Sequence, residues 1–124
     1  MRALMGQYME GWKSQNVAEV LDTLTEDCVI TECYGPVYRG KSTIQRWMQT
    51  WFAEGGEVLQ WDIQRWLPAT DGAAMEWIFR CLWRDQEALF DGASVALFHG
   101  GKIASLREYA TTAPLYDWQG TWQR

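Results

Sequence analysis

One carboxylate in this chain is placed to do chemistry. Glu32 falls in the run Cys28-Val-Ile-Thr-Glu-Cys-Tyr34, which alternates, is rich in β-branched residues and reads as a strand. Burial in an aromatic cavity would strip water from its charged form and raise its pKa. A carboxylate tuned in this way can lift a proton from a carbon next to a carbonyl. The competing reading is structural: Glu32 accepts a hydrogen bond from a Trp N–H or a Tyr hydroxyl, or pairs with Arg65 or Arg80. Other chemistries find less support. His99 is the single histidine and stands beside the Gly100-Gly101 turn, at a hairpin tip open to solvent. Cys28, Cys33 and Cys81 form no C-x-x-C pair, and alternation turns Cys33 away from Glu32 with no basic partner to activate it. Too few ligands are present for zinc, so neither a metal nor a cofactor is expected. Ser94 and Tyr109 are further candidate pocket groups, whereas Lys102, Arg107 and Glu108 read as a solvated edge of the last strand.

The elements that must hold Glu32 follow from periodicity. Leu4, Met5, Tyr8, Met9 and Trp12 share one face of a first helix. Asn16 caps a second helix carrying Val17, Val20, Leu21 and Leu24, which Thr25-Glu-Asp27 closes. After the strand with Glu32, Gly35-Pro36 turns the chain and Val37-Tyr38-Arg39 runs back. Ser42 with Gln45 is a capping box for a third helix, whose stripe is Ile44, Trp47, Met48, Trp51 and Phe52, and Gly55-Gly56 ends it. Four strands follow: 58–67, 75–84, 88–99 and 102–111. Pro68 with Asp71-Gly72, then Asp85-Gln86-Glu87, then Gly100-Gly101 supply the turns, and Gly92 marks a bulge or bend. Helices first and consecutive antiparallel strands last define an α+β fold. The three helices of the N-terminal half then pack in the concave face of a strongly curved, mostly antiparallel sheet.

Bulk composition narrows the partners. The 124 residues are expected to form a single domain, and 48% apolar content suffices for a core. A net charge of −5 without any Lys/Arg run argues against nucleic acid and against an acidic membrane surface. No apolar run approaches the ~18–20 residues of a membrane span. With free thiols, this favours a soluble, cytoplasmic protein. Nine Trp is far above ordinary usage. Trp61, Trp77 and Trp83 lie on strands, and some must face the outer side of the sheet, where an exposed aromatic surface predicts a homodimer.

The run L-x-x-L-T-E-D-C-V-I-T-E, then Y-R-G-K-S-T-I-x-x-W and a late L-F-H-G-G-K-I-A-S-L-R-E-Y resemble the NTF2-like superfamily, within it the SnoaL-like and ketosteroid-isomerase-like group. The likeness spans Met5 to Tyr109 and implies the cystatin-like cone of that superfamily. Carried over position by position, the isomerase pattern puts its catalytic tyrosine at Tyr8 and its general base at Glu32. Its second oxyanion donor, a protonated aspartic acid, falls near Ser94, a weaker donor. Trp12, Tyr34, Trp51 and Tyr109 would complete the pocket. The paired histidines of the scytalone dehydratase type are missing. So is the R-x-D pair of the limonene epoxide hydrolase type, since Arg65-Trp66-Leu67 and Arg80-Cys81-Leu82 both lack it. Near the last-strand acid of the polyketide cyclase type, Glu108 is the only carboxylate. Two functions stay open. One is a cofactor-free isomerase, cyclase or dehydratase for a small apolar carbonyl compound. The other is a non-catalytic module that binds a small ligand or a second copy.

Overall fold

The computed structural model describes residues 1–123. Helix α1 (Arg2–Lys13) buries Met5, Tyr8, Met9 and Trp12 at the expected three- and four-residue spacing. The Asn16 side chain accepts from the Glu19 N–H at 3.1 Å and starts α2 (Val17–Asp22). That helix is shorter than its apolar spacing suggests. Thr23 folds its hydroxyl back onto the Val20 carbonyl, and Leu24 already belongs to β1 (Leu24–Thr31).

Glu32 therefore lies just beyond β1 rather than in mid-strand. Its N–H donates to the Pro36 carbonyl and its carbonyl accepts from Gly35, so it opens the turn to β2 (Val37–Arg39). Gly35 takes φ 110°, a conformation that a side chain would oppose. The expected capping box does not form: α3 (Lys41–Ala53) starts two residues earlier, from Gly40, with no side-chain cap.

Strands β3 (Glu57–Pro68), β4 (Gly72–Trp83), β5 (Gln86–His99) and β6 (Lys102–Ala110) complete a six-stranded sheet in the order β2-β1-β6-β5-β4-β3. Every pairing is antiparallel except β1 with β6. The last strand is thus an interior one. The β4–β5 turn consists of Arg84 and Asp85, both at positive φ, so Gln86 and Glu87 belong to β5. Gly92 is not a bulge; it pairs in register with Trp77, and a Cβ there would sit 2.4 Å from that indole. Two slips in the β3–β4 pairing and one in β5–β6 help to bend the open sheet into an α+β cone. α1 packs on β3, and α3 packs on β1 and β2. Among the described residues, no helix is long and apolar enough to cross a membrane.

Candidate functional site

The concave side of the sheet holds a cavity of about 350 Å³, within the range of small-molecule sites. Six of the nine tryptophans line it, from α1 (Trp12), α3 (Trp47, Trp51) and the sheet (Trp61, Trp77, Trp83). The strand tryptophans therefore face inward, not toward the outer surface. Their rings meet steeply: Trp61–Trp77 at 87°, Trp61–Phe79 at 75° and Trp77–Phe79 at 68°.

Glu32 reaches this cavity from the β1–β2 turn. The Tyr38 hydroxyl donates to its Oε1 at 3.0 Å, and the Tyr38 ring lies flat on Trp47 with centroids 3.9 Å apart. Burial raises the Glu32 pKa, and the Tyr38 hydrogen bond pulls against that rise by favouring the charged form. The structural reading of Glu32 thus finds its partner in a tyrosine of the neighbouring strand, while one side of the carboxyl stays turned to the cavity.

A second acid shares the cavity. Glu108, expected on a solvated edge, lines the pocket from β6. Burial, reinforced by the nearby Glu32 charge and opposed by the neighbouring Ser94 hydroxyl, pushes its pKa up to about 8. Glu108 is half-buried, and a pKa of about 8 leaves its carboxyl mostly protonated near pH 7. Ser94 stands directly across the β5–β6 ladder and is fully buried. Its oxygen accepts from the Trp77 indole N–H at 2.9 Å. Ser94 is absent from the cavity wall. Position 94, where the isomerase pattern has its acid, is this serine; the acid Glu108 stands across the ladder, on β6.

Tyr8 is fully buried and lines the same cavity. Its hydroxyl, with the indole N–H groups of Trp12 and Trp61, lacks any hydrogen-bond partner. The Tyr8 and Trp12 groups are close enough to influence each other, yet do not meet hydrogen-bond geometry. Among the described residues these are the only buried side-chain polar atoms left unpaired, and all three line the cavity. Burial and the Glu108 charge hold the Tyr8 hydroxyl well above its ordinary pKa, so it is a donor.

Of the other residues singled out, Trp12, Trp51 and Tyr34 line the cavity, Tyr34 at its mouth with 70% of its surface exposed. Tyr109 does not: it points to the outer face beside Arg107. Cys33 has left the strand and lines the cavity next to Glu32, with its thiol pushed up to about 11 by burial and the two acids. It is therefore protonated and inert. His99 is exposed at the hairpin tip, and no group of His, Cys, Asp and Glu is arranged for a metal among the described residues.

An open α+β cone with an acid-bearing aromatic pocket is one class of protein, and the sequence match agrees. Residues 5–106 match the SnoaL-like domain family, to which this chain belongs. No protein of curated function matches it in sequence. Among solved structures, an epoxide hydrolase of the LEH-like type from M. tuberculosis superposes with a TM-score of 0.78 at 14% identity, covering 88% of this chain and 80% of its own. A ketosteroid isomerase-like fold protein from Catenulispora acidiphila, in complex with trimethylamine, reaches 0.75 at 17%, covering 88% and 85%. A putative polyketide cyclase from Pseudomonas putida reaches 0.73 at 17%, covering 88% and 90%. At such identities the likeness is one of fold.

Proposed function

We propose that this SnoaL-like protein is a cofactor-free acid–base catalyst that moves a proton on a small carbonyl compound. Glu32 is the base. It lines the cavity, and its raised pKa brings it closer to the working pH. Tyr8 and protonated Glu108 are the donors for the oxygen that gains charge as the carbon loses its proton. One observation carries the reading: two acids with raised pKa values, Glu32 and Glu108, line one aromatic cavity of about 350 Å³, with Tyr8 in the same wall. A site that only closed on its own rings would leave no such space. The test is α-carbon hydrogen–deuterium exchange, followed by NMR across a panel of small ketones. Wild-type protein should accelerate exchange for at least one ketone, and Glu32→Gln should lose on the order of 10²-fold or more. Equal rates in wild type and variant, or no acceleration across the panel, leave the module as a binder.

We also propose that it acts as a homodimer through the outer sheet face. The support is no longer tryptophan. It is aliphatic: Leu67, Val95 and Leu97 are 50%, 44% and 51% exposed around one shallow hollow on β3–β5.

A further inference from the structure

We propose that the cavity selects an organic cation, a small compound carrying a tertiary or quaternary alkylammonium group. The inference rests on the walls of the pocket and not on the catalytic reading. Every charged or chargeable group on the wall that could pair with a ligand charge is acidic: Glu32 and Glu108 line it, and no Lys, Arg or His does. Arg46 belongs to the adjoining groove, and Arg84 is tied to Glu54 at 3.1 Å. An anionic ligand would meet repulsion without relief. A neutral apolar ligand would seal the Glu32 carboxylate from water with the Tyr38 hydroxyl as its one side-chain partner. An organic cation supplies the missing charge.

The apolar walls fit the same ligand. Trp61, Trp77 and Phe79 have mutually steep planes, between 68° and 87°. Three such rings form a corner in which a rounded alkylammonium can lie against π-faces from more than one direction. Aromatic faces attract cations through the ring quadrupole, most strongly for Trp and most usefully where water is excluded. A hydrated inorganic ion gains little there, because the walls offer few polar atoms to replace its water. An alkylammonium gives up little hydration and gains both terms.

Proton linkage supplies an internal check. Glu108 is faced by Ser94 on β5, Glu32 and Cys33 in the β1–β2 turn, Tyr34 and Tyr38 around β2, and Tyr8 on α1. A bound cation favours its ionised form. A quaternary ammonium carries no proton of its own, so its affinity should rise with pH as Glu108 ionises, by up to tenfold per unit below its folded pKa.

The experiment uses three probes of one shape: choline, the neutral 3,3-dimethylbutan-1-ol and the anionic 3,3-dimethylbutanoate. Binding to the full chain is followed by calorimetry and by the indole N–H resonances. None of the probes needs to react, so the outcome is independent of the ketone exchange assay. Choline should bind about tenfold or more tighter than the alcohol, with butanoate weakest. Raising pH from 7 toward 8 should tighten choline in wild type and leave Glu108→Gln nearly flat. Equal affinity for choline and the alcohol, tighter binding of the alcohol, or no binding of choline at millimolar concentration overturns the proposal.

Discussion

Replacing Glu108 with Gln should change how stability depends on pH. In the folded chain its carboxyl keeps its proton up to a pKa of about 8, against 4.5 for an unperturbed group. Between those values the folded state holds a proton that the unfolded state has released. Each pH unit in that window then costs about 1.4 kcal/mol of stability, to a ceiling on the order of 5 kcal/mol. The contribution is fully present below the unfolded pKa and is lost as pH rises through the folded one. From pH 5.5 to 7.5 the wild type should therefore lose roughly 2–3 kcal/mol through Glu108 alone. Gln keeps the shape but has no proton to lose. Glu32, whose pKa is also raised, is present in both chains, so the difference between wild type and variant reads Glu108. Urea unfolding followed by tryptophan fluorescence at several pH values reads this directly, with a midpoint shift of about 1–2 M expected. A wild-type-minus-variant difference that stays constant from pH 5.5 to 7.5 would refute the placement of Glu108 as a buried, proton-holding acid.

Two smaller perturbations follow from the same geometry. Tyr8→Phe removes a buried hydroxyl that has no partner, so the fold should be as stable or up to about 1 kcal/mol more stable, while ketone exchange slows. A melting experiment showing a loss above about 2 kcal/mol would mean the hydroxyl is paired after all. The double substitution Val95→Lys and Leu97→Lys puts two charges on the outer aliphatic patch. Sedimentation equilibrium should show a dimer for wild type and a monomer for this variant, and a monomeric wild type at tens of micromolar would remove the outer-face dimer.

Much of the fold was readable because its helices carry apolar stripes and its turns carry glycine. Met5, Tyr8, Met9 and Trp12 fall on one face wherever α1 ends, and Gly100-Gly101 can only be a hairpin. The site was readable only in part, because its second acid depends on strand phase. Ile103 and Leu106 on β6 are both buried although three residues apart, and the β5–β6 register slips beside them. Alternation carried forward from Ile103 turns Tyr109 inward, whereas after the slip it is Glu108 that turns inward. The parallel partner also matters: β1 lies on β6 and makes the last strand interior, a long-range pairing with no local signature. The tryptophans posed the complementary problem. Periodicity put Trp61, Trp77 and Trp83 on strands, but the inward face of a curved sheet is set by what packs on it.

The unpaired donors and the two acids constrain the ligand from opposite sides. A buried polar group without a partner costs about 1–3 kcal/mol, and Tyr8, Trp12 and Trp61 present three of them. Net stability for a domain is typically only about 5–15 kcal/mol. Phe at position 8, a ring that filled the cavity, or a bound molecule that brought an acceptor would each relieve part of that cost. Donors alone would suit any carbonyl or hydroxyl compound. The acids add a second demand, because an acceptor atom does nothing for the Glu32 charge. A compound that meets both carries a carbonyl oxygen for the hydroxyl and indole donors and an alkylated nitrogen for the carboxylate. In such a compound the positive nitrogen also makes the carbon beside the carbonyl more acidic, which lightens the work asked of Glu32. The proton transfer and the cation selection, proposed on separate grounds, therefore call for one kind of molecule, an aminoketone, and ketones with and without an alkylated amine should separate in the exchange assay.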